Sequence, residues 1–203
     1  MKKNPQKIKI LLIGDSYVGK STLVNIIRGK DESSYSPTIF DNIYHYLEID
    51  DKVYQLDIRD TSGAPEYSNL ITTHLRDIDL AIICYAVDNR VSFYNINAFW
   101  YEKVRHIPIM LVGLKIDLRY NQIKDSKLKI INYQEGKELS EKLRCEYMEF
   151  CKTDDKKQQL ENIEQFFANT IQMLDNFTNK KNNNKNNNKN NKNFSQKNKC
   201  NLL

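Results

Sequence analysis

The stretch that most constrains what this chain can fold into is "GDSYVGKS", Gly14 to Ser21. It fits G-x-x-x-x-G-K-[ST], follows the strand-like run Ile8 to Ile13 and precedes a helical pattern, which is the setting a phosphate-binding loop needs. Gly14 and Gly19 allow the backbone to wrap anionic oxygens with N–H groups at a helix N-terminus, with Asp15, Ser16, Tyr17 and Val18 between them. Lys20 is expected to reach the β- and γ-phosphates of a nucleotide, and the Ser21 hydroxyl, followed by Thr22, to ligate Mg²⁺. The bland alternative, a glycine-containing turn before a helix, explains neither the lysine nor the flanking strand.

Four apolar runs too short for helices read as buried strands: Ile8 to Ile13, "LAIICYAV" at 80–87, "IPIMLVG" at 107–113 and the weaker "CEYMEFC" at 145–151. Helical spacing joins Phe93, Ile96, Trp100 and Val104, and again Leu160, Ile163, Phe167 and Ile171. "NIYHYLEID" and "KVYQLDIRD" flank Asp50-Asp51 as an antiparallel hairpin at a sheet edge. The expectation is an α/β P-loop fold: six strands, mostly parallel, with one antiparallel edge strand and flanking helices.

The 203 residues suit one domain, expected over 1–177, with a Lys/Asn-rich tail over 178–203 that has almost no apolar residues and reads as a disordered tether. That tail carries seven lysines and no acid, so the formal net charge of +5 leaves 5 − 7 = −2 for the body. A basic nucleic-acid-binding face on the folded part is not suggested, and the tail, with Phe194 its one aromatic, offers no stacking platform. Cysteines 84, 145, 151 and 200 lack the spacing of a zinc site or a disulfide framework, which points to a reducing, cytosolic setting. The N-terminal apolar run "ILLI" stops at Gly14, too short for a signal core or a membrane span.

"LVGLKIDLR" at 111–119 narrows the nucleotide. A strand end followed by Lys115-x-Asp117 places a carboxylate at the edge where a base lies, and guanine presents adjacent N1–H and N2–H donors to it, whereas adenine presents an acceptor at N1. The Lys115 stem can lie over the ring. Alone, an exposed Lys and Asp in a polar loop would explain these residues better; the phosphate loop and the spacing along the sheet decide the matter.

Together, "GDSYVGKS", "YSPTIFDNI", "DTSGAPEY" and "FWYEKVRH…IPIMLVGLKIDLR" resemble the Ras superfamily of small GTPases, and within it the Rho family, most like Rac. The likeness covers about residues 7 to 175. It implies GTP/GDP and Mg²⁺ as cofactors, with Thr38 on Mg²⁺ and the γ-phosphate, Asp60 on Mg²⁺ through water, and the Gly63 N–H on the γ-phosphate. Cys151 and Lys152 stand in its third base loop, the Lys152 N–H toward guanine O6, and Tyr35, Phe40 and Asp41 in its effector segment. Lys20, Thr38 and Gly63 would carry catalysis. Exchange factors and a prenyl-binding dissociation inhibitor are implied partners, and a monomer the default state.

Several positions depart from that family. Ala64 replaces the Gln that orients the attacking water, so hydrolysis, intrinsically about 10⁻⁴ s⁻¹ even with Gln, is expected to slow further. The Rnd branch of the Rho family likewise carries a small residue there and is GTPase-deficient. Leu114 replaces an Asn or Thr whose side chain braces the loops, a loss of roughly 1 kcal/mol. Asp31 replaces an aromatic that stacks on guanine, which predicts faster nucleotide release. The loop after Arg119 is about five residues short of the usual insert, and Tyr17 is bulky beside the phosphates.

The chain ends "CNLL", a C-a-a-X signal whose terminal Leu favours geranylgeranylation of Cys200. One lipid plus a lysine patch supplies the two signals that stable anchoring takes, so the expected place is the cytoplasmic face of an anionic membrane, plasma membrane foremost, with a cytosolic fraction. A second reading keeps the fold as an interaction scaffold with weak nucleotide binding.

Overall fold

The computed structural model describes residues 4–29, 40–67, 71, 75–119 and 129–197, those from 179 on by backbone alone. Six strands form one sheet in the order β2-β3-β1-β4-β5-β6. They are β1 (Gln6–Ile13), β2 (Phe40–Ile49), β3 (Lys52–Thr61), β4 (Leu80–Ala86), β5 (Ile109–Leu114) and β6 (Glu146–Phe150). Every neighbouring pair is parallel except β2–β3. The α/β expectation and its antiparallel edge therefore hold.

The reasons are local. β4 and β5 are buried along their whole length, which matches their unbroken apolar runs and needs cover on both faces. β2 instead alternates, with Ile43 and Leu47 buried and Tyr44, Tyr46 and Glu48 exposed, as suits an edge strand. Asp50 and Asp51 both have positive φ, 48° and 61°, the combination a two-residue hairpin turn requires, and Ile49 pairs with Lys52 beyond them.

Helix α1 (Lys20–Arg28) starts at Gly19 and ends at Gly29, whose φ of 62° closes the last turn with its one N–H shared between the Asn25 and Ile26 carbonyls. Helix α2 runs through Arg90–Asn95, a π-helical turn Ile96–Trp100 and Tyr101–Val104. Its N-cap is Asn89, whose side chain accepts from the Ser92 N–H. Helix α3 (Tyr133–Leu143) begins with a reciprocal Asn132–Glu135 capping box. Ile96, Trp100 and Val104 of α2 and Leu143 of α3 join Leu11, Ile13, Ile83, Tyr85 and Leu111 in one buried cluster, so the helical spacing read at 93–104 holds.

Helix α4 (Lys156–Lys197) corrects one expectation. Leu160 is not on the buried stripe: it is 53% exposed, and Gln159 is buried in its stead. The Gln159 amide oxygen accepts the Thr153 N–H at 2.6 Å, which turns the helix start so that 159, 163, 166 and 167 face inward. Phe166 then packs edge-on against Phe150, and Phe167 lies against His45.

The chain divides after Ala168 into two units. The second, Asn169–Leu203, carries the rest of α4, whose backbone is helical to Lys197 through the Lys/Asn run that sequence reads as a tether. From Lys180 to Lys197 that run has Phe194 as its one apolar residue, so it presents no stripe to bury.

Candidate functional site

The strand order reverses at β1, which has β3 on one side and β4 on the other, and ligands of such sheets bind at the carboxyl ends beside that switch point. The Gly14–Ser21 loop leaves β1 at that point. Gly14 has φ 140° and lies so close to β4 that a Cβ would stand 2.1 Å from the Cys84 carbonyl oxygen. Tyr17 takes φ 63° and is 74% exposed, standing off the loop into solvent. Val18 is fully buried beneath it.

Lys20 is 5% exposed. Its Nζ donates to the carbonyls of Gly14 and Asp15, 2.8 Å each, so two of an ammonium's three donors hold the loop in a ring around the charge. Burial pushes its pKa down, and the Asp60 carboxylate pulls it part of the way back. A buried cation of this kind calls for an anion. The neighbouring Cys84 thiol is pushed up to about 12 by burial and stays protonated, a packing group and not a nucleophile.

The Ser21 hydroxyl donates to Asp60 Oδ2 at 2.7 Å. Both are hard oxygen donors, Ser21 in the first turn of α1 and Asp60 near the end of β3, a set that suits Mg²⁺. Among the described residues no group of three or more His, Cys, Asp or Glu could hold a metal on its own. Ser21 and Asp60 would hold a magnesium ion by two positions at most and leave the others to oxygens from beyond this pair, nucleotide phosphates among them.

Asp60 ends β3 beside Thr61, whose hydroxyl donates to the Leu12 carbonyl at 2.7 Å and fixes the start of "DTSG" on β1. Gly63 then lies against the phosphate loop: a Cβ there would stand 2.2 Å from Asp15 C and Ser16 N. Only glycine admits that approach of two backbones. Ala64 follows, its N–H donating to Ser62 Oγ and its carbonyl accepting from the Tyr67 N–H. Its methyl brings no hydrogen-bonding group. Phe40 and Asp41 open β2, with Asp41 paired to Arg28 of α1 at 2.7 Å. Thr38, Tyr35, Asp31, the 120–128 loop and Cys200 lie outside the described residues.

The base side forms where β5 and β6 end. Lys115 takes a left-handed φ of 60°, its Nζ 3.8 Å from Asp88, and Asp117 sits in the short 3₁₀ turn Ile116–Arg119. Cys151 meets Asp117 here: burial raises the thiol pKa, the Asp117 carboxylate raises it further, and the Asp117 N–H points at the sulfur. Lys152 follows, exposed, and Thr153 is pinned by Gln159. Residues 115, 117, 151 and 152 thus lie along one edge of the sheet. Leu114 is buried, and its Cδ1 lies 3.5 Å from where a Gly19 Cβ would be, so an apolar side chain faces the phosphate loop in place of the family's polar brace.

Sequence reasoning missed what holds this edge. Arg119 grips Glu149 with two parallel bonds of 2.7 Å and donates from Nε to the Ile131 carbonyl at 2.8 Å. The Tyr147 hydroxyl also donates to Glu149 and lies 2.8 Å from the Tyr85 hydroxyl. Burial drives both phenols up, Tyr85 to about 12, so they remain neutral donors. Arg119 ends the turn that carries Asp117 and Glu149 sits two residues ahead of Cys151, so the fork ties the two loops together. Arg119→Met, leaving the half-buried Glu149 without a countercharge, is expected to cost about 2 kcal/mol of stability in urea unfolding. A loss below 1 kcal/mol would show the pair to be peripheral.

Comparison with known proteins agrees with this geometry. The Ras family model matches residues 9–176. Drosophila melanogaster "Ras-like GTP-binding protein RhoL" is 31% identical, the match covering 85% of this chain and 90% of that protein. Dictyostelium discoideum "Rho-related protein racM" is 36% identical over 73% of this chain and 80% of its own length. Entamoeba histolytica "Ras-like GTP-binding protein RHO1" is 36% identical over 68% and 64%, respectively. A phosphate loop on a buried lysine, "DTSG" laid against it, a base edge built from Lys115 and Asp117, and relatives of this kind agree, and the chain belongs to the Rho family of small GTPases within the Ras superfamily.

Proposed function

We propose that this protein is a membrane-anchored GTP/GDP switch whose own hydrolysis is slow. The observation that carries the reading is the place of Ala64, directly after Gly63 at the phosphate loop, with no side-chain group to orient a water. The rest of the apparatus supports nucleotide binding. The Gly14–Ser21 backbone and Lys20 cradle the phosphates, Ser21, Thr38 and Asp60 hold Mg²⁺, and Asp117 with the Lys152 N–H reads guanine. When bound, Mg²⁺ would offset phosphate charge. Residues 35–43, with Tyr35, Phe40 and Asp41, meet effectors, and a cytoskeletal role follows from the family alone.

The test is single-turnover GTP hydrolysis by the wild type and by Ala64→Gln. Restoring an orienting amide is expected to raise the rate roughly ten- to hundredfold. A wild-type rate already near the family's ~10⁻⁴ s⁻¹, unchanged by the substitution, would sink the slow-timer reading.

Cys200 with the seven tail lysines supports anchoring by one prenyl chain and a basic patch. In fractionated cells Cys200→Ser is expected to move most of the protein from membranes to the soluble pool; unchanged membrane binding would refute prenylation as the anchor. Asp31 and Leu114 favour a second reading, a scaffold that binds nucleotide weakly. GDP retained through gel filtration in Mg²⁺ would exclude it.

A further inference from the structure

Asp15 is a junction. Its carbonyl oxygen accepts from Lys20 Nζ at 2.8 Å, and its peptide bond with Ser16 is the surface on which Gly63 rests. Its carboxylate does something the phosphate loop does not require: Oδ2 accepts from Asn95 Nδ2 at 2.7 Å and Oδ1 from Trp100 Nε1 at 2.6 Å. Both donors belong to α2 and are five residues apart. In an α-helix of 3.6 residues per turn they would lie about 140° apart around the axis, on different sides of the helix. The π turn Ile96–Trp100 closes with five residues and brings the two side chains into line. Trp100 is otherwise buried, stacked edge-on against Phe99, and its indole N–H is a donor that burial obliges to find an acceptor.

We propose that Asn95 and Trp100 are positioning residues for the phosphate loop, acting through Asp15. A carboxylate within the loop that receives phosphates would repel them if it turned inward. Two N–H donors on α2 hold it outward, so the Asp15 peptide stays in the ring around Lys20. The grip on phosphate and the seating of α2 are then one property. Trp100 is the single tryptophan of the chain, so its emission reports the state of the loop. The proposal rests on the reading that this loop binds the phosphates of a guanine nucleotide.

The experiment uses the full chain loaded with Mg²⁺ and GDP carrying a fluorescent N-methylanthraniloyl label, chased with unlabelled GDP. Trp100→Phe and Asp15→Asn are each expected to speed release about tenfold, and the double variant no more than the faster single one, because both cut the same link. Val104→Ala, a cavity in the same helix, is expected to lower the melting temperature and leave release unchanged. In the wild type, stripping nucleotide with EDTA shifts Trp100 emission; in Asp15→Asn the shift is lost. Wild-type release rates in both single variants, or fully additive effects, would overturn the proposal while leaving the nucleotide reading intact. A wild type that retains no labelled GDP would overturn that reading and the proposal with it. Should Asp15→Asn fail to fold, Trp100→Phe against Val104→Ala decides alone.

Discussion

Asp117→Asn is expected to lower GDP affinity by roughly 10²- to 10³-fold while raising affinity for xanthosine diphosphate by a similar factor. The carboxylate can accept from guanine N1–H and N2–H at once. An amide keeps one acceptor and sets its NH₂ against the second donor, losing a charge-assisted bond and adding a donor–donor contact. Xanthine carries a carbonyl where guanine has the amine and suits the amide. Asp117 sits in the short turn that ends at Arg119, and its N–H points at the Cys151 sulfur. Competition titration of the two diphosphates decides: equal losses for both would mean that Asp117 shapes the loop without touching the base.

Gly14→Ala should remove most of the stability of the fold. The new methyl would stand 2.1 Å from a backbone oxygen of a buried strand, at a φ of 140° that L-residues avoid. Overpacking and backbone strain together cost about 4 kcal/mol or more. Against a total of roughly 5–15 kcal/mol this leaves little, and the melting temperature falls by roughly 10 °C or the chain fails to accumulate. Gly29→Ala is the control: its φ is also positive, but nothing lies within 4 Å of the added carbon, so a loss near 1 kcal/mol is expected. Similar melting temperatures for the two variants would show that the loop start yields and that its contact with Cys84 is not a constraint.

What could be read from the sequence was what is local. Apolar runs marked β1, β4 and β5, alternation and Asp50-Asp51 marked the hairpin, and the glycine spacing of 14 and 19 marked backbone that only glycine adopts easily. The partners of Asp15 lie 80 and 85 positions away, and those of Arg119 and Glu149 are 30 apart. Such pairs depend on strand order and on a π turn that no periodicity announces. One signal was present and passed over: Trp100 was assigned to the core for its spacing, yet a buried indole needs an acceptor, and that need points to a carboxylate elsewhere. Leu160 failed for a related reason, since Gln159 had a backbone N–H to satisfy and set the rotation of the helix start.

The central place of β1 also bears on how the protein is made. β1 leaves the ribosome before both of its neighbours, β3, ending at Thr61, and β4, ending at Ala86. Until β4 has emerged, one edge of an apolar strand stays open, and Gly14 has no Cys84 carbonyl to lie against. The nucleotide loop is thus made before the strand that shapes it. For that interval the nascent chain presents an unpaired strand to chaperones, and variants that slow closure on β4 should lower yield more than they lower the stability of the finished fold.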